Sequence, residues 1–393
     1  MVPCAVRASI ALRSERDAAD AARARHTATR PLLPSNPVVS LSAGRPLVSQ
    51  SGRSSSLTWY ASISQELEIA GQRGARREAA GEEVRAQDAR VTLTARDVAA
   101  AAWVGYFDAL AAKDEVELTR AVEAAASRVF EVTGARAEQK LTASVEADLA
   151  NAESLRALQT RASAERRLQS RVAMLTTLLG GDPASSSVSV EGDLQPLPRV
   201  ELIARQSLGI DAQSRPEVQV LLAERRAAAA RAEAFRRSRI PNPTVSIFAQ
   251  RDEISDRVLG LGLAFPIPLP EPVGRLYVGE IAENEASARR SGNEAERTRR
   301  QLRLDTVVSL REFESRRDEL AAFDAGRLAR AKQTLTDVSE EVRAGRLTVR
   351  DAIVTQQTLI QLLQAHIEAR RALCVASVDL ARAAGVTLEG GHP

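Results

Sequence analysis

The side chains that could do chemistry are few and scattered in this sequence. His26, His366 and His392 lie far apart, and Cys4 and Cys374 are the two cysteines of a 393-residue chain. A metal centre needs several His, Cys or carboxylate ligands at short spacing, and a nucleophilic site needs a base beside its nucleophile. Neither pattern occurs, and no glycine-rich loop follows a strand in phosphate-binding order. No enzyme activity, catalytic residue, metal site or cofactor is expected. Lys+Arg 54 against Asp+Glu 51 leaves a formal charge of +3, too even a balance for a nucleic-acid surface.

The elements that would position any site are set by proline. Pro31, Pro34, Pro37 and Pro46 are followed by none until Pro183, and Pro272 by none until Pro393. Because proline breaks helix interiors, the arms 47–182 and 273–392 can hold helices far longer than the roughly 11–12 residues of an average one. Ile353, Ile360, Ile367 and Cys374 recur every seven residues, and Leu168, Val172, Leu175 and Leu179 follow a 4-3-4 spacing. Both are patterns of coiled-coil-like packing. With aromatic residues at 3%, the contacts must come from Ala, Leu and Val.

The arms are halves of a duplication. Asn36-Pro37 matches Asn242-Pro243, Gly71-Gln72-Arg73 falls near the place of Gly274-Arg275, and Gly134 matches Gly345. Asn36 to Gly180 is 144 residues, and Asn242 to Gly385 is 143. The expected organisation is a first repeat over 1–180 with a hairpin at 37–69, and a linker over 181–215. A second repeat follows over 216–385 with a hairpin at 243–270, and a tail over 386–393.

Strict alternation marks the hairpins. Leu259, Leu261, Leu263 and Phe265 point one way and Val258, Gly260, Gly262 and Ala264 the other, as in a strand with one large apolar face. Trp59, Ala61 and Ile63 oppose Thr58, Tyr60 and Ser62, and Val39, Leu41 and Ala43 oppose Ser40, Ser42 and Gly44. Strands of roughly 9–11 residues can cross a bilayer when tilted, so the large face is expected to meet lipid. Four strands cannot close a membrane barrel, which starts at about eight, so several chains must share one.

The Asn-Pro hairpins, ISQELEIAGQRGARREAA at 63–80, FPIPLPEPVGRLYVGEIAENEASARR at 265–290 and the segment EVRAGRLTVRDAIVTQQTLIQLLQAHIEARRALCVASVDLARAAG at 341–385 together resemble the TolC-like outer-membrane efflux proteins. The resemblance implies a mainly α fold with a small membrane β part, in which a homotrimer builds one 12-stranded barrel continued by a helical tube across the periplasm. It further implies the exit duct of a tripartite system, working with a periplasmic adaptor (membrane fusion) protein and an inner-membrane RND-type pump. EIAGQRGAR and FPIPLP are closer to the cation-efflux branch than to the drug-efflux branch. Where the family places its periplasmic tips, this sequence has Gly134, Ala135 and Arg136, and Gly345, Arg346 and Leu347; these are the expected adaptor-docking residues. Arg343, Arg350 and Asp351, with Arg346, are the candidate gate. Asp252, Glu253 and Asp256 are candidates for influencing cation access in the outer loop. The opening MVPCAVRASIALRSERDAADAARARH departs from the family: it reads as a charged helix rather than an export signal, so the start is expected to lie inside the first helix of the repeat. The alternative is a soluble coiled-coil scaffold whose hairpins are capping sheets.

Overall fold

The computed structural model describes residues 1–44, 57–185, 188–209, 212–251, 256–270, 273–386 and 388. In chain order the elements are α1 (Val2–Ala8), α2 (Ile10–Ala28), β1 (Val38–Gly44), β2 (Thr58–Glu66), α3 (Gln72–Glu138), α4 (Ser144–Leu178), α5 (Val200–Ser207), α6 (Pro216–Arg237), β3 (Thr244–Arg251), β4 (Arg257–Ala264), α7 (Val278–Ala321), α8 (Ala325–Arg343) and α9 (Val349–Ala384). The 67-residue α3 lies in the first proline-free arm and the 44-residue α7 in the second. Each strand pair begins directly after its Asn-Pro.

Two compact units form. One comprises Met1–Arg13, Leu93–Ala212 and Arg300–Pro393, the other Ser14–Thr92 and Gln213–Arg299, so both expected repeats contribute to both units.

The first unit has three clusters of buried residues. The largest packs Phe107 and Leu110 of α3 against Leu373, Cys374, Val378 and Leu380 of α9, with Val200 and Ala204 of α5. Leu197 N–H donates to the buried Ser377 hydroxyl at 2.9 Å, tying the connecting segment to α9. A middle cluster holds Ala125, Ala331, Leu335 and Leu363, and the third holds Val129, Val132, Ala150, Val338, Val342, Val349 and Ile353. Of the heptad positions on α9, Ile353 and Cys374 are buried while Ile360 and Ile367 are half-buried. Burial pushes the Cys374 thiol up to about 12. Gly180 (φ 84) and Gly385 (φ 76), matched in the sequence, both end their helices in the left-handed region where glycine carries no Cβ penalty.

The second unit has a different core. Ala19, Ala22, Ala75, Ala79, Ala223, Ala227, Ala228, Ala230 and Ala232 are buried, joined by Val218 and Ile281. Small side chains let helix backbones approach closely. Ion pairs flank this core: Arg226 Nε meets Glu82 at 2.8 Å, Arg23 Nη2 meets Asp88 at 2.6 Å, and Arg231 pairs with Glu83. Glu82 is buried, whereas the Arg23 and Asp88 side chains are about half exposed, and a pair of that exposed kind is worth about 0–1 kcal/mol.

The two hairpins of this unit are one sheet. All four strands are antiparallel in the order β1-β2-β3-β4, leaving β1 and β4 as its edges.

Candidate functional site

The register of the sheet turns the alternation of each strand into two continuous faces. Leu41 faces Ala61, Ala61 faces Ala249, and Ala249 faces Leu259. The next row is Val39, Ile63, Ile247 and Leu261, and Gln65, Val245 and Leu263 follow. Two rows of this face are apolar across all four strands, between Gln65 at one end and a last row of Ala43, Trp59, Arg251 and Arg257 at the other, and the apolar rows are bare: Leu41 is 77% exposed, Leu259 78% and Leu261 79%. Patches of this kind on a soluble chain normally mark a partner or a membrane.

The opposite face is polar and small. Its rows are Ser42, Tyr60, Gln250 and Val258; Ser40, Ser62, Phe248 and Gly260; and Val38, Ser64, Ser246 and Gly262. Tyr60 stacks on Phe248 with ring centroids 5.9 Å apart, and the Phe248 ring occupies the space that a Cβ at Gly260 would need. Gly260 is thus a seat for an aromatic ring, while Gly262 leaves room for the Ser246 hydroxyl. Phe265 is 56% exposed but follows the last residue of β4, Ala264, instead of lying within the strand, because the prolines that start at Pro266 remove ladder donors there. Asp252 and Glu253 lie outside the described residues, and Asp256 is exposed.

A polar hub fastens the first hairpin's exit to the second hairpin's entry. Gln72 is 2% exposed; its amide nitrogen donates to Asn242 Oδ1 at 2.9 Å and to the carbonyls of Ile240 and Arg237 at 3.3 and 3.4 Å. Gln72 Oε1 accepts from Ala70 N–H at 3.1 Å, and Asn242 Nδ2 donates to Glu66 Oε1 at 2.7 Å. A buried amide is costly unless satisfied, and this one is. Sequence reasoning used these residues only as markers of the duplication. Their signal was that the repeated Asn-Pro and the Gly-Gln pair are both polar beside apolar strands.

In the first unit the structure corrects the expected first tip. Gly134 and Ala135 do not form a turn: α3 continues to Glu138, and the chain reverses at 139–143 with Lys140 in the left-handed region (φ 60). A single glycine costs a long helix only about 1 kcal/mol, which the packing of Val129 and Val132 overrides. The second tip is a turn as expected. Gly345 has φ 69, and Gly345 and Arg346 N–H groups return to the carbonyls of Val342 and Glu341. Thr348 then caps α9 by accepting from Asp351 N–H at 3.2 Å, and its hydroxyl donates to Asp351 Oδ2 at 2.8 Å.

The two sets of tip residues meet through Arg136. Its Nη1 donates to the carbonyls of Arg343 at 2.9 Å and Val342 at 3.3 Å, supplying partners to the open end of α8. A Cβ on Gly345 would lie 3.4 Å from the same guanidinium. Arg346 forms a two-pronged pair with Glu341 at 2.6 and 2.7 Å, which holds the Glu341 carboxyl below its ordinary value. Arg343 pairs with Glu340, Leu347 packs against the Val342 and Val349 cluster, and Arg350 is exposed.

Two grooves of the first unit also carry charge, but in matched pairs. Asp108 accepts from Arg371 at 2.7 Å and meets Arg171 at 3.1 Å, and Arg167 meets Glu115. Among the described residues there is no cluster of metal-ligating side chains, and no helix is long and apolar enough to cross a membrane.

Solved structures that share this fold include proteins described as outer membrane channels. The model of the family described as outer membrane efflux protein matches residues 6–181. A membrane protein from Pseudomonas aeruginosa has a TM-score of 0.79 at 18% identity, covering 98% of this chain and 92% of its own. The outer membrane protein VceC from Vibrio cholerae has a TM-score of 0.74 at 17% identity, covering 99% and 96%. CusC, described in connection with transmembrane channel formation, has 0.78 at 14%, covering 98% and 91%. No curated protein matches the chain.

Proposed function

We propose that this chain is a TolC-like outer membrane efflux protein that works as the passive exit duct of a tripartite exporter, three copies closing one 12-stranded barrel in the outer membrane. The observation that carries it is the pair of apolar rows that run from Leu41 to Leu259 and from Val39 to Leu261, bordered by Trp59, Arg251 and Arg257, on a sheet that still has two open edges. An edge in lipid leaves backbone groups unsatisfied, so the sheet can enter a bilayer only when copies share it. A soluble scaffold would leave the same face in water.

In this reading Leu259, Leu261, Leu263 and Phe265 meet lipid, and the helical part extends into the periplasm. Arg136, Gly345, Arg346 and Leu347, held together by the Arg136 contacts, receive the periplasmic adaptor, beyond which stands an inner-membrane RND-type pump. Gly134 and Ala135 would support that surface from within α3 instead of forming a turn of it. Arg343, Arg350 and Asp351 are the groups through which a gate would open. The likeness of EIAGQRGAR and FPIPLP to the cation-efflux branch makes metal cations the first cargo to assay.

The test is assembly and conductance. Native mass measurement in detergent should give a trimer, and planar bilayers should show steady ion conductance with no energy source. A stable monomer that needs no detergent and leaves bilayers silent would replace this function with the scaffold. Gly345→Trp should abolish crosslinking to the adaptor while the trimer persists; undiminished crosslinking would remove docking from this turn.

A further inference from the structure

The duplication makes one joint of the molecule a template for another. Within the chain, the first repeat meets the second along β2 and β3, with Ile63 opposite Ile247 and Gln65 opposite Val245. The pairing runs on past the strands, where Leu67 N–H donates to the Pro243 carbonyl at 2.9 Å, and is fastened by Gln72. Asn242 lies 206 residues after Asn36, and the same interval separates the two helix entries, Gly71 (φ 75) before α3 and Tyr277 (φ 57) before α7. Measured by backbone, then, the counterpart of Gly71 is Tyr277 and not Gly274. In the second strands the interval is 200 residues, since Val38 faces Ser64 as Thr244 faces Ala264.

Carrying the internal pairing across by these intervals sets β4 of one copy against β1 of another. Leu263 falls opposite the second copy's Leu41, Phe265 opposite its Val39, and Gly262 opposite its Ser42. Every pair keeps apolar with apolar on one face and small with polar on the other, which a shift of one residue would destroy. The counterpart of Leu67 is Ile267, whose N–H survives between Pro266 and Pro268, and its acceptor would be the second copy's Pro37 carbonyl. The hub changes on both sides at once: Gln72 becomes Val278, and Arg237 and Ile240, whose carbonyls Gln72 meets, become Pro31 and Pro34. These residues are uncovered in the single chain, Val278 being 48% and Ile267 80% exposed.

We infer that the β4 edge takes the β1 edge of a second copy in the register Leu263 to Leu41, and that the joint is closed by Val278 packed on the second copy's Pro31 and Pro34. The chain thus builds a polar joint within itself and an apolar one between copies. This rests on the shared-barrel reading above.

Directly opposed antiparallel residues have Cα atoms about 4.5–5.5 Å apart, within disulfide reach, whereas a two-residue offset exceeds the limit of about 7 Å. In a Cys4→Ser background, Leu263→Cys with Leu41→Cys should oxidise to a covalent trimer in detergent micelles. Leu263→Cys with Val39→Cys or with Ala43→Cys should give little. Val278→Asp should reduce the trimer fraction while helicity is kept. A native trimer linked mainly by an offset pair, or not linked by any, would overturn the register and leave the duct standing. A native trimer fraction unchanged by Val278→Asp would remove the apolar joint, and a chain that stays monomeric would overturn the duct together with the joint.

Discussion

The sheet and the helical tips both descend from the duplication, yet they have kept it unequally. In the sheet the two hairpins pair in the same manner, and residues on one face in the first hairpin lie on the same face in the second. At the tips, Gly345 ends a helix while its sequence match Gly134 lies inside one. The difference lies in what each region must satisfy. A strand exposed to two media cannot slip by one residue without reversing every side chain, so its pattern is locked along its whole length. A helix end needs only its last few carbonyls and first few amides met, and several local solutions exist. The second tip uses Gly345 and a Thr348 cap; the first uses Lys140 in the left-handed region and Ala143, which offers no side-chain cap.

The largest effect should come from breaking the sheet's face. Leu261→Arg is expected to cost about 2–4 kcal/mol near the bilayer midplane, whereas a charge on the opposite face should change mainly the lumen. Urea or heat titration of the folded protein in bilayers measures this, and equal stability for Leu261→Arg and the parent would separate that face from lipid. Next, the tips should respond oppositely to one substitution. Gly345→Ala puts a Cβ into a left-handed residue against Arg136 and should destabilise the first unit by about 1–2 kcal/mol. Gly134→Ala, with open space around its Cβ, should stabilise it by up to about 1 kcal/mol. A matching response at both sites would restore the equivalence that the backbone denies.

Thr348→Ala removes a helix cap and should cost about 1 kcal/mol, while Thr142→Ala should cost less, because Ala143 occupies the cap position there. Thermal unfolding of each variant compares the two tips directly. The smallest effect should be that of the exposed Arg346 and Glu341 pair. Since the folded carboxyl is held below its ordinary value, its contribution is present above the normal glutamate range and is lost as pH falls through the lowered value. Glu341→Gln and the parent should therefore differ slightly at pH 7 and converge in acid; a difference that persists there would assign the effect to packing.

The same contrast explains what could be read from the sequence. Strand positions, faces and the Asn-Pro boundaries were legible because alternation and proline act residue by residue. The long helices were legible from the absence of proline. The first tip was misplaced because a glycine is only a weak break within 67 residues of otherwise favourable helix. The Gln72 hub was legible only as polar positions in the repeat, because its partners Arg237, Ile240 and Asn242 come from the other half of the chain. Arg136 was visible as a charge near a tip, but its work as a cap for α8 depends on packing between helices.

One further consequence follows from the placement of two tryptophans. Trp59 lies on the apolar face of the sheet in the second unit, and Trp103 stacks on Phe107 at 5.5 Å in the core of the first. With Trp 2 in the whole chain, each unit carries its own intrinsic fluorophore. Trp59→Phe leaves emission that reports the helical core alone, and Trp103→Phe leaves emission from the sheet. Brominated lipid acyl chains should quench the second signal and spare the first, so the burial of the sheet and the folding of the helices can be timed separately in one unlabelled protein.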